Sequence, residues 1–244
     1  MSPARFDWRS ASLSHVGKVR KINEDSCLEA PDRGLWAVAD GMGGHSRGDL
    51  ASQLVINNLD QVAASDDLAT LVDEVEDQIL AANHRLLKLT AESGGTVGTT
   101  VVCLVLKERH GVCLWAGDSR LYRLREGVLE QVSHDHSQIN LLLEQGIITE
   151  EEALDHPAAN LVTRAVGADS DLFLDVEMWE LAAGDRYLLC SDGLDKHVGD
   201  AEIAAILSRG EPGEVASTLV ELTLERGASD NVTVEVIEVV ERHG

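Results

Sequence analysis

Leu35-Trp36-Ala37-Val38-Ala39-Asp40-Gly41-Met42-Gly43-Gly44-His45 reads as a buried strand that ends in a carboxylate and a glycine-rich turn. The residues before Asp40 are all apolar. They lack the alternation of a strand wetted on one face, so both faces are predicted to be covered. Gly41, Gly43 and Gly44 let the backbone turn tightly and approach whatever Asp40 holds. Taken alone, Asp40-Gly41 also fits an ordinary hairpin turn. The chain then repeats the pattern. Tyr187-Leu188-Leu189-Cys190-Ser191 runs into Asp192-Gly193, and Val112 to Gly117 runs into Asp118-Ser119-Arg120. Asp230-Asn231 precedes the strand-like run Val232 to Ile237. Each of these strands carries an Asp at one tip. If the tips converge, like charges share one small volume and destabilise the fold unless cations neutralise them. Oxygen ligands without a companion His or Cys favour Mg²⁺ or Mn²⁺ over Zn²⁺. The residues therefore predict a carboxylate site for more than one divalent metal.

The rest of the composition sets limits. The chain has 244 residues, 44% hydrophobic and 26% charged, which is ordinary for a globular protein with a substantial core. A net charge of −23 argues against nucleic acid or an anionic membrane as partner. A phosphorylated substrate must then be attracted locally, by metal or by a placed arginine. Cys27, Cys103, Cys113 and Cys190 form no CxxC pair and read as reduced structural thiols. Residues 1 to 9 carry no apolar signal core, and the longest apolar run, Val101 to Leu106, is too short to span a bilayer. A cytoplasmic location is expected.

Along the chain, a first strand is predicted over 8–16, then the mixed-charge segment Arg20 to Asp25, which by itself fits a solvated turn. Helices follow at 46–63, capped by Ser46, and at 67–89. Four strands (99–106, 112–116, 121–125, 128–132) are joined by short turns, with Gly111 and Gly127 at two corners, which implies antiparallel neighbours. A helix over 133–145 leads to an access-controlling flap or plain connecting loop at 146–170. Strands at 174–179 and 187–190, helices at 201–207 and 213–226 and a strand at 232–240 complete the chain. The economical arrangement is α+β: two antiparallel sheets face to face with helix pairs outside each, a four-layer α-β-β-α sandwich. A three-layer α+β fold competes. No linker is visible, so 1–244 reads as one domain.

The motifs, taken in order, resemble bacterial PP2C-type metal-dependent serine/threonine protein phosphatases. They are Arg20-Lys-Ile-Asn-Glu24-Asp25, Asp40-Gly-Met-Gly-Gly-His45 with Gly48, Gly98-Thr-Thr100, Gly117-Asp118-Ser-Arg120 and Asp135-His136-Ser137. His156-Pro157, Thr163-Arg164-Ala165 with Gly167, Ser191-Asp192-Gly-Leu194 and Asp230-Asn231-Val-Thr233 follow. Single pieces are weak signals; the ordered set is specific. The resemblance implies the four-layer sandwich, with Mn²⁺ or Mg²⁺ at one end of the two sheets. It implies that Asp40 bridges two ions, the Gly41 carbonyl completes the first, and Asp192 and Asp230 hold the second. Asp118 with Asp192 would hold a weaker third. Glu24 and Asp25 would hold waters around the ions, and Arg20 would grip the substrate phosphate. Residues 146–170 would be the family's variable flap.

The implied reaction is direct hydrolysis of phosphoserine and phosphothreonine by hydroxide held between two cations. The cysteines have no part in it. A His that follows the bridging Asp-Gly in animal relatives is replaced here by Met42, so that role does not transfer; His45 is a candidate general acid, with ordering of the glycine turn as its alternative role and metal-bound water as the alternative acid. His134, His136 and His156 are expected to be structural or to support the residues that hold the ions. The partners implied are phosphoproteins, a cognate Ser/Thr kinase and its targets, with regulation of type VI secretion as one setting. Two competing readings are a PP2C-like binding module without activity and a stress-response phosphatase for an anti-anti-sigma partner. The retained Asp set argues against the first. The Arg20 motif and the full flap argue against the second.

Overall fold

The computed structural model describes residues 6–43, 47–93, 97–153, 156–158 and 161–242. Its strands are β1 (Phe6–His15), β2 (Asp25–Ala30), β3 (Leu35–Gly43), β4 (Val97–Thr99), β5 (Val101–Lys107), β6 (His110–Ala116), β7 (Arg120–Arg125), β8 (Val128–Gln131), β9 (Asp175–Glu180), β10 (Arg186–Cys190) and β11 (Val232–Glu241). The helices are α1 (Gly48–Leu59), α2 (Leu68–Ser93), α3 (Gln138–Glu144), α4 (Glu150–Ala153), α5 (Asp192–Asp195), α6 (Asp200–Leu207) and α7 (Pro212–Glu225).

The strands form two antiparallel sheets. One has the order β1-β11-β10-β7-β8; the other runs β2-β3-β5-β6-β9, with β4 paired to β3. The apolar run before Asp40 explains their stacking. Leu35 and Ala37 face the cluster that packs under α1 and α2, with Val55 and Ile79. Trp36 and Val38 point the other way, into the cluster shared with Leu104, Tyr187 and Ile237 of both sheets. A third cluster joins Leu188 and Val234 to Ile203 and Leu219 of the helices beyond the first sheet. The prediction that β3 is covered on both faces holds, and so does the α+β class of two antiparallel sheets flanked by helices.

Several local expectations need correction. Asp25–Ala30, read only as the end of a charged turn, is a strand that pairs with β3 and sets Asp25 opposite Asp40. Strand β3 does not stop at Asp40; it continues to Gly43 and pairs with β4. The turn after β6 does not make a hairpin. It carries the chain from one sheet to the other, because β7 pairs with β10 and β8. Gly111 lies inside β6, and the β5–β6 turn falls at 108–109. A Cβ on Gly111 would lie 2.6 Å from the Trp179 ring, so that glycine makes room for an indole. Gly127 does sit in the β7–β8 turn, at φ +81°. The helix expected from 133 starts only at Gln138, where the Ser137 side chain accepts from the Asn140 amide. Ser46, the expected cap of α1, lies outside the described residues; the cap position is Arg47. All four cysteines are free, and Cys103, Cys113 and Cys190 are buried.

Candidate active site

The residue that sets the site is Asp40, and its backbone is clamped by two threonines. The Asp40 amide donates to Thr100 Oγ1 at 3.0 Å. Its carbonyl accepts from the Thr100 amide and from Thr99 Oγ1, each at 2.9 Å. Thr100 Oγ1 also lies 2.7 Å from Ser119 Oγ, which links the Asp40 strand to the crossing that carries Asp118. His136 supports that crossing from behind: its Nδ1 accepts from the Gly117 amide at 3.1 Å, its Nε2 meets Asp175 at 3.2 Å, and its ring stacks on Trp115. Burial lowers the His136 pKa, against the Asp175 hydrogen bond.

Asp25 ties the two sheets together beside the cleft. Its Oδ2 accepts from Ser191 Oγ at 2.8 Å and from Thr233 Oγ1 at 2.7 Å, both on the opposite sheet. Burial raises its pKa to about 6, even though these two hydrogen bonds favour the charged form. Oδ1 of the same carboxylate is buried and has no partner. Ser191 leads directly into Asp192, the first residue of α5.

Glycine is required at position 41 by close approach. A Cβ there would lie 2.0 Å from the Gly48 carbonyl oxygen and 2.6 Å from that of Glu24. The Gly41 amide donates to the Glu24 carbonyl at 3.1 Å, and Glu24 Oε1 accepts from the Gly48 amide at 3.1 Å. Gly41→Ala must push these backbones apart. We expect it to cost about 1–3 kcal/mol in urea denaturation, as overpacking does, and to weaken Mn²⁺ binding. An alanine variant with unchanged stability would show that the packing here is loose.

Asp230 and Asn231 deliver the last part. Asn231 Nδ2 donates to the carbonyls of Val16 and Ile22 at 2.9 and 3.0 Å, and its Oδ1 accepts from the Glu24 amide at 2.8 Å. This amide side chain thus fastens the Arg20–Asp25 segment beside Asp230. Sequence reasoning noticed Asn231 in a motif and gave it no role. Arg20 Nη2 bonds Asp230 Oδ2 at 2.8 Å with half of its side chain exposed, so it stands at the rim.

Asp40, Asp118, Asp192 and Asp230 line one cleft of about 310 Å³ with Arg20 and Lys196. A neighbouring cavity of about 460 Å³ shares Asp118 and Asp192. Burial, then the charges of Asp25, Asp192, Asp118 and Asp230, push the Asp40 carboxyl well above the usual carboxylate range. Burial and Asp192 push Asp118 up to about 7. Among the described residues, no three acidic, histidine or cysteine side chains are closed into an ion-holding group. Asp192 and Asp230 lean instead on Lys196 and Arg20. The donor set nevertheless fits a hard divalent cation. It offers only oxygens, one carboxylate is strained toward its neutral form, and the cleft is open to the outside. His45, the candidate acid, lies outside the described residues.

Of the segment 146–170, the part from Leu161 onward is stitched to the scaffold. Val162 bridges Ser137 and lines the cleft, and Val166 bridges Thr99. The Gly167 amide donates to Asn83 Oδ1 at 2.6 Å. Helices α3 and α4 pack against each other and give Ile139 and Ala153 to the second cavity.

Comparison with known proteins agrees with this geometry. Residues 14–227 match the family described as Protein phosphatase 2C. The serine/threonine protein phosphatase PstP of Mycobacterium tuberculosis is 39% identical over 236 residues, covering 96% of this chain and 45% of PstP. The chain thus spans about half the length of that curated relative. Among solved structures, PppA, titled a key regulatory component of T6SS in Pseudomonas aeruginosa, superposes with a TM-score of 0.91 at 45% identity, covering 97% of this chain and 99% of PppA. The catalytic domain of PstP, solved with 2 manganese ions, matches with a TM-score of 0.84 at 38% identity, over 96% of this chain and 99% of that domain. The chain belongs to the protein phosphatase 2C family.

Proposed function

We propose that this chain hydrolyses phosphoserine and phosphothreonine monoesters of proteins, using divalent cations. The observation that carries the reading is the cleft in which four aspartates lie with Arg20 at the rim. Phosphate monoester dianions repel nucleophiles and hydrolyse extremely slowly without help. Mn²⁺ or Mg²⁺ bound here would neutralise that charge and make hydroxide available near neutral pH. In this reading Asp40, the Gly41 carbonyl, Asp192 and Asp230 would hold the two core ions, with Asp40 shared between them. Asp118, with Asp192, would hold a weaker third. Glu24 and Asp25 would position water around the ions. The manganese-bound PstP structure supports a two-ion centre for a member of the same family.

Arg20 has the exposure and the planar fork to turn from Asp230 to a phosphate and contact it bidentately. His45 is the candidate donor of a proton to the leaving alkoxide. Residues 1–244 act as one catalytic domain, with 146–170 as the flap, in the cytoplasm. The substrates are phosphoproteins, including a cognate Ser/Thr kinase and its targets. Similarity to PppA supports type VI secretion as the pathway regulated. Among the described residues, no helix is long and apolar enough to cross a membrane.

The test is hydrolysis of a phosphothreonine peptide by the purified protein. Turnover should require Mn²⁺ or Mg²⁺ and stop with a chelator. Arg20→Ala should raise KM about tenfold with a smaller effect on kcat, as loss of a charge-assisted contact to substrate does. Turnover that persists in chelator would overturn the metal reading; an unchanged KM would remove Arg20 from the phosphate.

A further inference from the structure

The cleft already has a cation of the chain's own. Lys196 Nζ lies 2.5 Å from Asp192 Oδ2 and 3.8 Å from Asp230 Oδ2. Lys196 is the cap residue at the end of α5, four residues after Asp192, so the helical turn itself aims the ammonium at that carboxylate. Its side chain is 30% exposed, which lets it stand inside the cleft wall without being locked there. We propose that Lys196 is a tethered counter-cation: it holds Asp192 and Asp230 before a metal ion arrives, must be displaced for the ion to bind, and so sets the metal concentration at which the cleft loads. The inference rests on the metal-dependent reading above and adds a residue that this reading does not use.

The argument is one of charge and space. Four aspartates at one cleft repel each other, and an ammonium beside two of them relieves part of that repulsion. A dication needs the same two oxygens, so ammonium and ion compete. The ion must also overcome repulsion from a positive charge held only a few ångströms away. Lysine suits such a role better than arginine, because a compact ammonium on a flexible stem can leave without breaking a bidentate fork. It also has somewhere to go. Lys196 lines the neighbouring cavity of about 460 Å³, whose wall carries Asp135 and Asp195, two carboxylates that share the single guanidinium of Arg120. Asp195 Oδ1 is buried there without a hydrogen-bond partner.

The test compares chelator-stripped wild type with Lys196→Met and Lys196→Arg, using calorimetric titration with Mn²⁺ and thermal unfolding of the stripped proteins. Lys196→Met should bind Mn²⁺ about tenfold more tightly and unfold at a lower temperature when stripped, since it removes both the competitor and the internal neutraliser. Lys196→Arg, which keeps the charge and adds a fork that is harder to displace, should bind Mn²⁺ no more tightly than wild type. Equal or weaker Mn²⁺ binding by Lys196→Met, beside a wild type that binds, would overturn the inference and leave the metal reading standing. No Mn²⁺ binding by the wild type would overturn the metal reading itself, and the inference with it. Should Lys196→Met fail to fold, the ammonium can be followed in the wild-type protein by NMR during titration with Mg²⁺. Its resonance should change as the site fills; a resonance unmoved at saturation would overturn the inference.

Discussion

Asp40→Asn will make the metal-stripped protein more stable and the metal-loaded protein inactive. The Asp40 carboxyl lines the cleft with Asp118, Asp192 and Asp230, and burial, then the charges of Asp25 and these three, hold its pKa well above the ordinary range. Asparagine keeps the shape and removes the charge. Relieving a poorly compensated buried group is worth about 1–3 kcal/mol. For a chain of this length that is a rise in Tm of about 5 °C in chelator. The sign with pH follows from the direction of the shift. A carboxyl whose folded pKa is raised loses stability as pH climbs past its unfolded value near 4. The advantage of Asp40→Asn should therefore be larger at pH 8 than at pH 5. With Mn²⁺ present the order reverses, because the wild type gains binding energy that the variant lacks. Turnover should fall on the order of a thousandfold, the scale of a lost electrostatic anchor. Unfolding curves at both pH values, with and without Mn²⁺, decide the matter. A wild type that outlasts the variant in chelator at pH 8 would sink the prediction.

The second large effect lies away from the cleft. Glu235 is fully buried on β11, and neither of its carboxylate oxygens has a hydrogen-bond partner. Burial, and then the Glu29 charge, push its pKa well above the ordinary range. The folded protein therefore favours the neutral acid. Glu235→Gln should be more stable near pH 8 by about 1.4 kcal/mol or more, because the amide is as unpaired as the acid but spares the folded chain the cost of taking up a proton. The gain should shrink as pH falls toward the ordinary glutamate value near 4.3, where the unfolded chain also takes up the proton. Urea denaturation across pH 5 to 8 measures the difference directly. A gap between variant and wild type that does not change with pH would mean that Glu235 does not titrate with folding.

Both predictions concern charges whose meaning depends on fold, and the sequence exposed them unequally. Asp118, Asp192 and Asp230 were legible because each stands beside an apolar run, so its place near a strand end is written locally; Asp40 was legible from the same kind of run, although it lies inside β3. Strand β2 was hidden because Arg20 to Asp25 is dense in charge, and its burial depends on Ser191 and Thr233 reaching it from the other sheet. The crossing at Gly117-Asp118-Ser119 looked like one more tight turn. Nothing local distinguishes a turn within a sheet from one between sheets. Lys196 was unreadable for a related reason. A lysine four residues after an aspartate is commonplace on helices, and only the convergence of Asp192 and Asp230 gives this one two acidic neighbours. Glu235 sits in a run of valines and isoleucine that reads correctly as a strand, which drew attention away from the one fully buried acid in it.

The order of the first sheet has a further consequence, for how the protein is made. Strand β1 lies at the sheet's edge and pairs with β11, which follows every other element and inserts between β1 and β10. On the ribosome, β1 emerges early and must wait for a partner more than two hundred residues downstream. Contacts so distant in sequence are slow to form. Until they do, the flank of β10 stays open and Asp230 cannot reach the other aspartates. A shortened nascent chain could build much of the second sheet and its helices and still be unable to assemble the cleft. Catalytic competence would then appear all at once, and only after β11 has been made.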